Sequence, residues 1–208
     1  PVVAAWTQRQ GIARSEPGED YTATLAREPF DWLFSIVNHA LTPAAVLAMP
    51  RLGAINYHDS LLPAYGGFHA TTWAILDDKR EHGITWHRMT AAADAGPRLV
   101  QRSFPITEQD TAFSLAARAG ELGARSFGDV LDLLERGTAD GTPGEAPLQF
   151  RRKSERPGLV AFDATQPSAA LSRLVRAFDF GTEDNWTTRV RLLTPRGASA
   201  LDRLIADR

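Results

Sequence analysis

Short, almost continuously apolar runs alternate with longer stretches of three-to-four periodicity along this chain, and the two patterns assign its elements. Trp32-Leu33-Phe34-Ser35-Ile36-Val37 reads as a strand buried on both faces of a parallel sheet. Gly53-Ala54-Ile55-Asn56, Gly83-Ile84-Thr85-Trp86-His87 and the stretch from Arg98 to Phe104 predict further strands. The stretches from Tyr21 to Arg27, Pro43 to Ala48 and Thr71 to about Lys79 predict helices between them. Strand and helix in alternation imply an α/β fold with crossover connections. The clearest helix comes next: Phe113, Ala116, Gly120, Gly123, Phe127, Val130, Leu131 and Leu134 mark one face that should pack on a sheet. A glycine inside a helix costs about 1 kcal/mol relative to alanine, so Gly120 and Gly123 are both expected to serve close backbone approach.

A stretch rich in turn formers, Gly137-Thr138-Ala139-Asp140-Gly141-Thr142-Pro143-Gly144, divides the chain into a first domain over residues 1–146 and a small second one over 147–208. In the second, Leu159 to Phe162 and Arg189 to Leu193 predict strands. Leu171, Leu174, Val175 and Phe178 predict an amphipathic helix opened by Pro167. So small a unit is marginal alone and should lean on the first.

Composition narrows the chemistry. The chain has 208 residues, enough for a substantial core, and no apolar run reaches the ~20 residues that span a bilayer. Its first residues lack the basic-then-apolar layout of a signal peptide, so the reading is cytoplasmic. Zero cysteines exclude disulfides, thiolate zinc sites and cysteine nucleophiles. A net charge of -2 offers no broad attraction to polyphosphate, so nucleic acid is not a favoured partner. The basic cluster Arg151-Arg152-Lys153, with Arg156 nearby, reads as a solvated linker.

Asn56 and His58 stand at the end of a predicted strand, where residues i and i+2 point to the same side. Ligands of open α/β sheets bind beyond the carboxyl ends of the strands. There a carboxamide N–H can hold a developing oxyanion while an imidazole gives or takes a proton, which suits acyl or one-carbon transfer. Asp94, in the small-residue loop Thr90 to Pro97, is the candidate third partner, and beside an imidazole its own pKa should fall. Taken one at a time, such residues are more often turn formers or satisfied core groups; their joint placement after neighbouring strands gives them weight. His82 and His87 should face opposite sides of a strand, and no H-E-x-x-H occurs, so no metal site is expected. Ser60 lacks the G-x-S-x-G elbow of a nucleophile and should shape its loop. Neither a G-x-G-x-x-G nor a P-loop is present, and Trp73 and Trp86 are assigned to core packing.

The ordered motifs Asn56-Tyr57-His58-Asp59-Ser60-Leu61-Leu62-Pro63-Ala64-Tyr65-Gly66-Gly67, Trp73-Ala74-Ile75, His82-Gly83-Ile84-Thr85-Trp86-His87 and Asp94-Ala95-Gly96 resemble those of the folate-dependent formyltransferases, over about residues 3–136. The resemblance implies a Rossmann-like, mostly parallel sheet without the family's N-terminal strand-helix-strand unit, followed by a small C-terminal α+β subdomain. It implies Asn56, His58 and Asp94 as the catalytic trio, 10-formyltetrahydrofolate as donor, and no metal. The pterin would be cradled by Ser35, Ile36, Val37 and Asn38 and by Ala91, Ala92 and Ala93. Gly66-Gly67 replaces the Arg-Gly usual in the tRNA and glycinamide ribonucleotide members. The motif variants look most like the formylation domains of nonribosomal peptide synthetases, which act on an aminoacyl group held by phosphopantetheine on a carrier domain, with an adjacent adenylation domain. An amino-sugar nucleotide is the nearest competing acceptor, an aminoacyl-tRNA is another, and a hydrolase that deformylates the folate keeps the same fold.

Overall fold

The computed structural model describes residues 2–12, 14–15, 20–155, 168–181, 191–194 and 197–200. In chain order the elements are α1 (Val2–Arg9), α2 (Tyr21–Leu25), β1 (Trp32–Ser35), α3 (Ala44–Leu47), β2 (Gly53–His58), β3 (Gly66–Gly67), α4 (Ala70–Leu76), β4 (Glu81–Arg88), β5 (Arg98–Pro105), α5 (Ala112–Glu135), β6 (Phe150–Arg151), α6 (Ser168–Ala177), β7 (Arg191–Thr194) and β8 (Gly197–Ala200). The predicted Leu159 to Phe162 strand lies outside the described residues. Helix α1 carried no sequence expectation; its alternation of small, polar and aromatic residues gives only a weak apolar stripe.

The apolar runs form a four-stranded sheet in the order β1-β2-β4-β5. β1 and β2 run parallel, connected through α3, whereas β2 pairs antiparallel with β4 and β4 with β5. The α/β class therefore stands, with a mixed sheet among the described residues. β4 is covered nearly throughout, from His82 to His87, so its polar residues His82, Thr85 and His87 lie inside the protein along with Ile84 and Trp86.

One face of the sheet packs on α5: Ile55, Ile84, Trp86 and Val100 meet Ala119 and Val130, with Phe34, Tyr57 and Phe127 closing the edges. A capping box starts α5, the Thr111 hydroxyl accepting from the Ser114 N–H and the Ser114 hydroxyl accepting from the Thr111 N–H. Its buried face is Ala112, Leu115, Ala119, Gly123, Ser126 and Val130. That corrects the predicted face in part: Gly123, Val130, Phe127 and Leu134 do lie against the core, whereas Phe113 is 46% and Leu131 38% exposed, and Ala116 and Gly120 are exposed too. The buried positions missing from the predicted face are Ala112, Leu115, Ala119 and Ser126, most of them small or polar, so the predicted stripe overlaps the true one without coinciding with it. Ser126 belongs to the core because its hydroxyl accepts the Trp86 indole N–H at 3.0 Å. Gly123 serves close approach as expected, since a Cβ there would run into the Tyr57 ring, but a Cβ on Gly120 would meet only open space.

A second cluster joins α4, α5 and α6 through Ile75, Ala112, Leu115, Leu174, Ala177 and Phe178. The second half of the chain thus leans on the first. Ahead of α6, β6 lies parallel to β3, Gly66 opposite Phe150 and Gly67 opposite Arg151. Arg151 is not the solvated linker residue expected of it: its guanidinium stacks on the Trp73 ring at 4.1 Å. Arg152 and Lys153 are exposed.

Candidate active site

The end of β2 divides its side chains by alternation. Tyr57 turns to α5 and packs on Trp86 with ring centroids 5.2 Å apart, which leaves Asn56 and His58 on the opposite side. The loop after His58 is pinned from beneath. The Thr85 hydroxyl donates to the Ser60 carbonyl at 2.7 Å and accepts the Leu62 N–H at 3.0 Å. Gln101 Nε2 donates to the Leu62 carbonyl at 2.8 Å and to the Thr85 hydroxyl at 2.9 Å. Ser60 shapes the loop as expected, its hydroxyl directed at the Ala64 and Tyr65 carbonyls at 2.7 and 3.1 Å. The Arg98 guanidinium reaches the same Leu62 carbonyl at 3.4 Å, so the loop is held by backbone, hydroxyl and amide groups together with one cation.

His58 is 6% exposed, and its Nε2 lies 2.8 Å from the Tyr65 carbonyl. A carbonyl only accepts, so Nε2 carries a proton and Nδ1 is the atom left for chemistry. Nδ1 faces Asp94 Oδ1 across 3.9 Å, too far for a direct hydrogen bond and wide enough for a reacting group to share the space. The other carboxylate oxygen of Asp94 accepts the Gly67 N–H at 2.7 Å. Burial pushes the Asp94 pKa up, but contact with His87, the charge of His58 and the Gly67 N–H outweigh it, and the net shift is downward from the ordinary 3.8. Asp94 is therefore a fixed carboxylate, aimed at two imidazoles and clamped by the loop that walls the site.

The second imidazole was missed by sequence reasoning. His87 Nε2 lies 3.2 Å from Asn56 Nδ2 and 3.6 Å from Asp94 Oδ1. His87 Nδ1 lies 3.0 Å from the Arg88 carbonyl and donates to it, so Nε2 is the ring nitrogen that faces both the Asn56 amide and the Asp94 carboxylate. When Nε2 carries no proton it accepts one Asn56 N–H and leaves the other to address a ligand oxygen. The signal was the antiparallel register that sets Asn56 opposite His87, invisible until β2 and β4 are known to be neighbours. His82 points elsewhere, edge-on to Phe104, and burial holds its pKa below the ordinary value.

Ser35 pairs in register with Asn56, so β1 ends beside the site. Ile36 and Val37 are 50% and 67% exposed just beyond it, and Val37 has φ 52°, a left-handed conformation that a β-branched residue rarely adopts. The Asn38 side chain is engaged in its own turn, accepting the Ala40 N–H at 3.0 Å. Ala91 to Ala93 lead into Asp94, and the Thr90 hydroxyl braces that turn on the Ala92 carbonyl at 2.9 Å. The structure thus brings together Asn56, His58 and Asp94, adds His87, and sets the Ser35 to Asn38 segment at the same end of the sheet. Trp86 is core and 2% exposed, while Trp73 is half-buried beneath Arg151. Among the described residues no group of His, Asp and Glu side chains is arranged to hold a metal ion, and no helix is long and apolar enough to cross a membrane.

The formyl transferase family model matches residues 12–131, which spans the sheet, the pinned loop and all four polar side chains of the site. The chain belongs to the formyl transferase family. It is 34% identical over 179 residues to a methionyl-tRNA formyltransferase of Stutzerimonas stutzeri, covering 86% of this chain and 54% of that protein. The chain spans about half the length of the curated relatives it matches. Among solved structures it is similar in fold to a 4-N formyltransferase from Francisella tularensis, with a TM-score of 0.77, 16% identity and coverage of 97% of this chain and 81% of that one. It also resembles HypX from Aquifex aeolicus, solved with tetrahydrofolic acid, with a TM-score of 0.63, 20% identity and coverage of 82% of this chain and 28% of that one.

Proposed function

We propose that this formyl transferase family member moves a formyl group from 10-formyltetrahydrofolate to the amine of an aminoacyl group tethered by phosphopantetheine to a carrier domain. The observation that carries the chemistry is the convergence of Asn56, His58 and a carboxylate held ionised at Asp94, with every side chain oriented by a second partner. The folate donor is supported by the tetrahydrofolic acid bound to the HypX neighbour. The backbones of Ser35 to Asn38 and Ala91 to Ala93 are assigned to the pterin. In the reaction the acceptor amine attacks the formyl carbon, and the carbonyl oxygen becomes an oxyanion that takes the free N–H of Asn56 and a proton-bearing Nδ1 of His58. Asp94 holds that imidazolium and helps remove the ammonium proton. Collapse breaks the bond to N10 of the folate, which leaves with a proton, and the acceptor becomes a formamide.

The carrier-bound acceptor rests on the motif variants around Gly66-Gly67 and His87-Arg88-Met89-Thr90. A second reading, an amino-sugar nucleotide acceptor, is favoured by the structural neighbour from Helicobacter canadensis solved with folinic acid and dTDP-3-aminofucose. Incubation with 10-formyltetrahydrofolate and, in parallel, an aminoacylated carrier or a thymidine-diphosphate amino sugar should add the mass of one formyl group to the carrier. A gain on the sugar alone selects the second reading; no gain above His58→Ala on either excludes both. Folate release without any amine would instead mark a hydrolase.

A further inference from the structure

Gly66 is usually read by what it lacks; its surroundings say what replaces it. A Cβ on Gly66 would lie 2.5 Å from both Pro147 Cβ and Pro147 Cγ and 3.3 Å from Phe150 Cδ2. At Gly67, φ is +83° and a Cβ would strike the Arg151 carbonyl. The space a side chain would take is filled by the chain's own Pro147–Arg151 strap. The strap is tied on at both ends, by the Leu148 N–H to the Pro63 carbonyl at 2.8 Å and the Phe68 N–H to the Arg151 carbonyl at 2.9 Å. Arg151, stacked on Trp73, anchors its far end. Yet its two apolar side chains are not consumed by this packing: Leu148 is 77% and Phe150 44% exposed. Phe150 lies opposite Gly66 in the β3–β6 pair and Leu148 precedes it by two positions on the same strap, while Gly67 is the residue whose N–H holds Asp94.

We propose that Leu148 and Phe150 are specificity-determining residues that receive the uncharged arm attached to the acceptor amine. This inference rests on the carrier-bound reading above. A tether of methylenes and amides gains from apolar surface beside the trio, whereas a diphosphate gains from a cation there. The strap makes the first surface and sterically forbids the second at position 66. Both side chains are exposed, so their truncation leaves the core intact.

The test compares alanyl-pantetheine with alaninamide, which share the amine and differ in the arm. The wild-type protein should formylate alanyl-pantetheine with a KM lower by about tenfold, the size of one modest apolar anchor. Leu148→Ser with Phe150→Ala should abolish that preference while leaving alaninamide turnover and the calorimetric Kd for tetrahydrofolate unchanged. Formylation of both amines without preference for the arm, or a preference that survives in the double variant, overturns the role of the strap and leaves the transferase reading standing. No formyl gain on either amine overturns both.

Discussion

The chemistry of the site turns on one amide. Asn56 can present either its N–H groups or its oxygen to the formyl group, and only the first stabilises an oxyanion. His87 bears on the choice, because with Nδ1 donating to the Arg88 carbonyl a ring without a proton on Nε2 accepts from the Asn56 amide. The residue therefore positions Asn56 without needing to touch substrate. His87→Leu removes the acceptor and should lower kcat by about tenfold or more, as loss of orientation does, with KM for the folate donor unchanged. His87→Gln retains a side-chain oxygen able to accept from Asn56 and should recover part of that loss. Steady-state kinetics on the three proteins checks this; equal losses in both variants, or a loss confined to KM, would show that His87 merely fills space.

At the scale of elements, most of the fold was legible because its signals are local. Apolar runs marked β1, β2, β4 and β5, and Gly, Pro and small polar residues marked the loops between them. What could not be read was which element lies beside which. The α5 face was read only in part because several of its contacts use Ala and Ser: Gly123 was placed correctly against what proves to be Tyr57, whereas Ser126 belongs inside only because Trp86 on β4 donates to it. Asn56 and His58 were legible from i, i+2 alternation, whereas His87 needed cross-strand register. The two helix glycines make this distinction measurable. Gly120→Ala should stabilise the protein by about 0.5–1 kcal/mol, because the position is exposed and helical. Gly123→Ala, the same chemical change a turn away, should destabilise it by about 1–3 kcal/mol as the new methyl presses on Tyr57. Urea denaturation of both variants reads the signs directly, and a shared sign would mean that α5 does not pack on β2 as described.

For the whole molecule the question is whether residues 147–208 behave as a second domain or as part of the first. The proposed division at residue 146 follows composition, but the packing of α6 argues for one cooperative unit. Leu174 and Phe178 are each 6% exposed and share a cluster with Ile75 of α4 and Leu115 of α5. The Arg176 guanidinium donates to the Asp110 carbonyl at 2.7 Å, the Phe113 N–H donates to the Asp179 carbonyl at 3.0 Å, and Arg173 pairs with Asp78 at 2.6 Å. Removing a buried side chain of this size costs about 2–4 kcal/mol. If α6 were an appendage, that cost would fall on it alone, and a first transition would release it while the site survived. If its cluster belongs to the fold, Leu174→Ala and Phe178→Ala should each shift a single urea transition to lower midpoint without changing its slope. Tetrahydrofolate binding, followed by fluorescence through the same titration, should then disappear in step with the helical signal. Its survival past loss of α6 would show that the trio and its pinned loop are held by the sheet and α5 without the C-terminal helix.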